Sequence, residues 1–223
     1  MPDGLRHGRL PHLSIYTQAM PLQNRVGPWG EFVRTPARGT LMGNRGGVLH
    51  NEQKQIVRRY KTRRWITCEL ECKDRHRTVM EPDRYTELFF LDEAVAFAAG
   101  HRPCAECRGE RFRAFRHAWQ LSQGLHSVPW ADELDGELHS ARIDRGQKVL
   151  YQAPLRSLPD GCFVEVEGLP YLVVQGTVAS WTPAGYITRQ KLPGNPMLTV
   201  LTPAPVVACF RQGYQPHLHP SAY

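Results

Sequence analysis

Four of the six cysteines form two close pairs, Cys68-x-x-x-Cys72 and Cys104-x-x-Cys107. Thiolates are preferred zinc ligands, and a structural zinc ion takes four ligands in tetrahedral geometry. A Cys-x-x-Cys pair at the start of a helix places one thiolate in a turn and the other in the first helical turn, where backbone amides offset the thiolate charge. We therefore predict that Cys104 and Cys107 bind one Zn²⁺ ion, with Cys68 and Cys72 completing the ligand set.

Two alternatives to a four-cysteine site remain open. A redox-active Cys-x-x-Cys would need a thioredoxin-like βαβ context, which the sequence around Cys104 lacks. The other alternative takes one ligand from a histidine in place of Cys72, and the candidates are His50, His76 and His101. On a regular strand the sulfurs of Cys68 and Cys72 would lie roughly 13 Å apart, so the four-cysteine site requires a bend near Leu70.

The charge of the chain is concentrated in its first half. Residues 1–120 carry 21 Lys and Arg and 13 Asp and Glu, whereas residues 121–223 carry 7 and 8. Basic side chains are densest in residues 54–77 and recur around Cys104. Such a surface attracts polyanions, so we predict a nucleic-acid partner, with DNA as the expected kind. The predicted phosphate contacts are Arg63, Arg64, Arg102, Arg108, Arg111 and Arg113.

Local signals predict the elements that hold the second cysteine pair. A strand over residues 85–90 is followed by Asp92, a suitable N-cap for a helix over 93–99 that ends at Gly100. A second helix over 105–121 would carry Phe112, Phe115 and Trp119 on its buried face. Upstream, residues 24–47 read as a Gly- and Pro-rich loop, and 48–71 as an imperfect β-hairpin.

Beyond Gly124 the sequence pattern changes to short apolar runs separated by turn residues. We predict strands at 149–152, 162–166, 171–174, 186–188 and 198–201, followed by a short helix at 205–212. The predicted fold class is α+β. It divides into an N-terminal arm (1–23, with a short strand at 13–16), a zinc-stapled basic domain (24–124) and a small β-rich C-terminal domain (125–223).

The segments around the cysteines resemble a known family. Residues 65–73 (WITCELECK) and 86–107 (TELFFLDEAVAFAAGHRPCAEC) are similar to the N-terminal zinc-binding domain of the Ada DNA-repair protein. The resemblance covers roughly residues 65–110. It implies a zinc ion held by four thiolates, a DNA-facing surface and a role linked to DNA repair or regulation. It also implies that Cys68 is the thiolate that accepts a methyl group from a methylphosphotriester.

Three functions follow from these observations. The first is a nucleic-acid-binding protein whose zinc ion is structural, and the second is a methyl acceptor or other DNA-modifying enzyme with Cys68 as nucleophile. The third is a zinc-stapled interaction module whose C-terminal domain binds a protein. No run of about 18 apolar residues and no signal-peptide core is evident, so we expect a cytoplasmic protein without a membrane partner.

Overall fold

A computed structural model describes residues 20–72 and 78–223 of the chain. These residues form a mixed sheet, an antiparallel sheet, a small two-stranded ribbon and four α-helices. The α+β class is therefore confirmed, with a β-rich C-terminal part. The strand predicted at 13–16 lies outside the described residues.

The first sheet contains six short strands in the order β2-β1-β5-β3-β4-β6. Their bounds are β1 Arg25–Val26, β2 Phe32–Val33, β3 Leu41–Asn44, β4 Ile66–Cys68, β5 Leu88–Phe90 and β6 Arg102–Pro103. β3 pairs antiparallel with both β4 and β5, whereas β6 lies parallel to β4 with Thr67 opposite Pro103. Since Cys68 and Cys104 each follow one of those paired residues, this register brings the two cysteines together.

Four helices pack beside the sheets: α1 Glu93–Ala98, α2 Gly109–Gln123, α3 Ala131–Arg142 and α4 Ala204–Arg211. Asp92 caps α1 by accepting a hydrogen bond from the backbone N–H of Val95 at 2.9 Å, as its position predicts. Gly100 ends this segment with φ +85°, and a Cβ there would lie 2.4 Å from the side chain of Arg142. Glycine is therefore required both by the backbone and by the packing of α3.

The second sheet is antiparallel throughout, in the order β13-β12-β11-β10-β14-β9. Its strands are β9 Tyr151–Pro154, β10 Phe163–Val166, β11 Leu169–Val174, β12 Thr177–Thr182, β13 Gly185–Gln190 and β14 Met197–Val200. A ribbon of β7 Ile143–Asp144 and β8 Gln147–Lys148 connects α3 to this sheet. The predicted strands all lie close to observed ones, and β12 was not predicted.

Buried side chains from both halves of the chain share two hydrophobic clusters. In the first, Phe97 and Trp119 contact a core that continues through Val200 and Phe210. In the second, Leu88 and Phe90 belong to the same cluster as Phe163, Leu172 and Tyr186. The predicted boundary at 124 falls in the loop between α2 and α3, and apolar packing crosses it.

Two upstream predictions of local structure were wrong. The hairpin expected over 48–71 is reduced to a single bridge between His50 and Ile56, because residues 57–64 are mostly charged and exposed and have no partner strand. The loop expected over 24–47 contains β1, β2 and β3, whose two to four residues are too short to produce a periodic pattern. None of the helices in the described ranges is long and apolar enough to cross a membrane.

Candidate metal centre

Three cysteine sulfurs meet at the edge of the first sheet. The Sγ atoms of Cys68, Cys104 and Cys107 all lie within 4.8 Å of one another. A tetrahedral zinc site with Zn–S bonds of about 2.3 Å has S–S edges of about 3.8 Å, so a small adjustment would bring the three sulfurs onto one ion. These three residues therefore form a cluster that could hold a metal ion.

Backbone pairing positions the cluster. Cys68 ends β4, and the N–H of Cys104 continues the β4–β6 ladder by donating to the carbonyl of Thr67 at 2.8 Å. The chain then turns into α2, with the N–H of Arg108 donating to the carbonyl of Cys104 at 3.1 Å. Within this turn the N–H of Glu106 donates to the sulfur of Cys104 at 3.4 Å, a contact that favours a thiolate.

Without a metal the three thiols share protons. Hydrogen bonds from the thiols of Cys107 and Cys68, together with backbone N–H groups, hold the pKa of Cys104 far below its ordinary value. The same contacts with Cys104 raise the pKa of Cys107 to about 11 and raise that of Cys68 well above its ordinary value. Crowded thiols that retain protons in this way are suited to exchange them for a metal cation.

Cys72 lies beside the three clustered cysteines, but its sulfur is not within 4.8 Å of all three of their sulfurs. The chain bends at Leu70 and Glu71, where the four-cysteine site requires a bend. Cys72 is half-buried and lines the same cavity as Cys68, yet its sulfur is not among those within 4.8 Å of one another. Its role as a fourth ligand stays a prediction.

The described histidines named as alternative ligands have other partners. His50 contacts the hydroxyl of Thr86 at 2.7 Å and the carbonyl of Glu81 at 3.2 Å. His101 is fully buried and accepts a hydrogen bond from Arg45 at 3.3 Å. Neither belongs to the sulfur cluster, and His76 lies outside the described residues.

A cavity of about 500 Å³ opens beside the sulfurs. Its apolar wall includes Met42, Ile66, Val79 and Phe89, and four carboxylate side chains also line it. Those carboxylates are Glu69, Glu71, Glu87 and Glu106. The thiols therefore face a space of small-molecule size that has an acidic rim.

The six arginines predicted to bind nucleic acid divide into two groups. Arg102 and Arg108 are 3% and 4% exposed and are bound by protein carboxylates. Arg102 donates two hydrogen bonds to Asp135, at 2.9 and 2.7 Å, and Arg111 donates to Glu93 and to the carbonyl of Gln215. The exposed members are Arg63, Arg64 and Arg113, and Arg64 also pairs with Asp132 at 3.0 Å.

Sequence reasoning missed the support that Arg108 gives to the cysteine cluster. Its guanidinium forms ion pairs with Glu69 and Glu93, both at 2.9 Å, and donates to the hydroxyl of Thr67 at 3.0 Å. It thus ties the residues on both sides of Cys68 to the first turn of α1. In the sequence, Glu69 follows Cys68 and Arg108 follows Cys107, and these opposite charges beside two predicted ligands could have indicated the ion pair.

Comparison of the chain with family models, curated proteins and solved structures found no match. The resemblance to the Ada zinc domain therefore rests on the residues quoted above and stays a prediction.

Proposed function

We propose that this protein binds one zinc ion through its clustered cysteines and uses the adjacent basic surface to bind nucleic acid, with DNA as the expected kind. The observation that carries the proposal is the convergence of three sulfurs from β4 and the turn before α2. Zinc suits an all-thiolate site because it is borderline-soft and accepts tetrahedral sulfur ligands. In this proposal Cys72 supplies the fourth thiolate after a local movement of residues 69–72.

A substitution at Cys72 tests the fourth ligand. Cys72→Ser should lower zinc affinity by about 10-fold or more while leaving the other three thiolates in place. The measurement is competition with a chromophoric zinc chelator, and Cys209→Ser is the matched control because Cys209 is buried far along the chain in α4. Equal zinc affinity of the Cys72→Ser and control variants would remove Cys72 from the ligand set.

The basic surface that supports nucleic-acid binding is the loop that leads into β4. Five cationic side chains are exposed there, and residues 57–64 contain no carboxylate: Arg58, Arg59, Lys61, Arg63 and Arg64. The loop ends at Trp65, three residues before Cys68, so a metal bound at Cys68 would fix its end. Phosphate contacts of this kind give affinity without sequence preference and are strongly weakened by salt.

Fluorescence anisotropy on a labelled 20-base-pair duplex tests this surface. Affinity should fall steeply as salt rises, and the double variant Arg63→Gln/Arg64→Gln should reduce the log–log slope by about 1.8, for two phosphates at about 0.9 each. The matched control is Arg156→Gln/Arg189→Gln, which removes two exposed arginines of the C-terminal part. Absence of binding at ~50 mM salt, or an equal loss in the control, would contradict the proposal.

A second candidate function is methyl acceptance by Cys68, favoured by the position of its half-buried sulfur on the wall of the cavity. The thiolate would attack the methyl carbon of a methylphosphotriester, forming a C–S bond as the C–O bond breaks and a phosphodiester anion leaves. The carboxylates of Glu69 and Glu71 oppose the approach of the phosphodiesters that flank the triester in DNA.

Intact-mass measurement after incubation with methylphosphotriester DNA decides this second function. Transfer adds about 14 Da, one CH₂ group, and peptide mapping should place it on Cys68. An unchanged mass rejects the second function and leaves the binding proposal standing. A protein partner for the C-terminal part stays a prediction.

A further inference from the structure

A second cluster of charged groups lies inside the molecule, away from the sulfurs. The guanidiniums of Arg45 and Arg142, each 1% exposed, lie 4.2 and 4.0 Å from the ring centroid of Trp65. Lys148, from β8, directs its ammonium to the carbonyl of Ala98 at 2.5 Å. Two cations from distant parts of the sequence therefore lie against one indole, and a third, Lys148, lines the same cavity.

In the described part of the chain, carboxylates do not fully balance this charge. The carboxylate of Glu31 attracts the charges of Arg45 and Lys148. However, Glu31 does not line the cavity described below. Asp135 acts on Arg142, but both of its oxygens already accept hydrogen bonds from Arg102. Burying cations without matching anions is costly, so this arrangement calls for a further negative charge.

The pKa values of these three cationic side chains are all lowered. Burial lowers the pKa of Arg45 to about 9, with Arg142 and Arg59 lowering it further. Burial also lowers the pKa of Arg142 to about 9, where Asp135 opposes the effect and Arg102 adds to it. Burial lowers the pKa of Lys148 to about 7, with Arg45 and Arg142 lowering it further and Glu31 opposing them. An anion close to all three would relieve both effects.

The structure contains a space for such an ion. A cavity of about 10 Å³, which is room for the centre of one water-sized sphere, is bounded by Arg45, Arg142, Lys148 and Trp65. The Nε–H of Arg142 is buried and has no hydrogen-bond partner among the described residues. Exposed Arg59 lies on the same wall and adds a fourth positive charge.

We infer that this cavity binds a monatomic inorganic anion, with chloride as the available species. Its charge matches the surplus of cations, and its size matches a space in which a tetrahedral oxyanion does not fit. The Nε–H of Arg142 and the ammonium of Lys148 are the donors to it. The site joins the turn after β3, the end of α3 and β8, and so ties the first sheet to the ribbon that precedes the second.

Bromide locates the ion directly. Crystals of the full chain grown in sodium bromide should show an anomalous peak between Arg142 and Lys148. In solution, chloride should raise the unfolding midpoint relative to gluconate at equal ionic strength. Lys148→Met should weaken the apparent chloride affinity at least ~10-fold, whereas Lys191→Met, an exposed control, should leave it unchanged.

A cavity that contains water without bromide, or an unfolding midpoint equally raised by chloride and gluconate, would overturn the assignment. An unchanged chloride response in Lys148→Met would also overturn it. If Lys148→Met does not fold, the bromide map of the wild-type protein decides.

Discussion

The two six-stranded sheets are held together in different ways. The strands of the first sheet contain two to four residues, and polar side chains such as Arg108 and Asp135 hold its edge at β4 and β6. The strands of the second sheet contain four to six residues and pair in one antiparallel series over a continuous apolar core. A sheet of such short strands gains little from its own ladder, so charged networks carry more of its stability, and in our proposal the zinc ion adds to them.

The largest effect is expected where the first sheet depends on a buried ion pair. Asp135→Asn removes the charge opposite Arg102, whose side chain is 3% exposed, and should lower the free energy of unfolding by about 3–5 kcal/mol. Asp132→Asn is the matched control on the same helix. The side chain of Asp132 is 84% exposed and that of its partner Arg64 is 60% exposed, so this ion pair should contribute less than about 1 kcal/mol to the free energy of unfolding. Urea titration measures both, and similar losses in the two variants would show that the buried pair has no special role.

The second sheet should respond to loss of apolar volume. Leu172 is fully buried in β11 and shares a cluster with Leu88 and Phe90 of the first sheet, so Leu172→Ala should cost about 2–5 kcal/mol. Leu169→Ala on the same strand, at a position that is 58% exposed, should change stability by about 0.5 kcal/mol or less.

This substitution also tests whether the sheets unfold as one unit. Because the cluster is shared, tryptophan fluorescence and far-ultraviolet circular dichroism should report one coincident transition in the Leu172→Ala variant. Two separate transitions would show that the first sheet is stabilised independently of the second.

A smaller effect should appear as a pH dependence of stability. The pKa of Lys148 falls from 10.5 in the unfolded chain to about 7 in the folded protein, so the unfolded state binds more protons between those values. The free energy of unfolding should therefore rise with pH above about 7, by at most about 1.4 kcal/mol per pH unit from this residue. Chloride-free urea titrations at pH 7, 8 and 9 measure the slope. Lys148→Met should flatten it, and an unchanged slope would assign it to other groups.

Local signals made the elements around the second cysteine pair predictable. Asp92 and Gly100 mark the ends of α1, and Phe112, Phe115 and Trp119 share the buried face of α2 as their spacing predicts. The meeting of Cys68 with Cys104 and Cys107 also followed from residue type and spacing. The helix ends and the buried face are determined by neighbours within a few positions, whereas the three cysteines meet because β4 pairs with β6.

Features that depend on distant residues could not be predicted. The carboxylate that binds Arg102 is 33 positions away in α3, and the sequence gives no local sign that this arginine is buried. Helix α3 itself was missed because Leu134 and Leu138 are its only large apolar side chains, too few for a clear periodic pattern, and because its N-cap residue, Trp130, is not a typical capping residue. Arg45, Arg142 and Lys148 come together only through the tertiary fold.

Metal content of the purified protein tests the central claim most directly. Wild-type protein expressed with zinc should contain about one zinc ion per chain, and Cys104→Ser should contain almost none, because three thiolates define the site. Cys162→Ser, which alters a buried cysteine in the second sheet region, should retain the ion. Wild-type protein without bound metal, or full zinc occupancy in Cys104→Ser, would contradict the account.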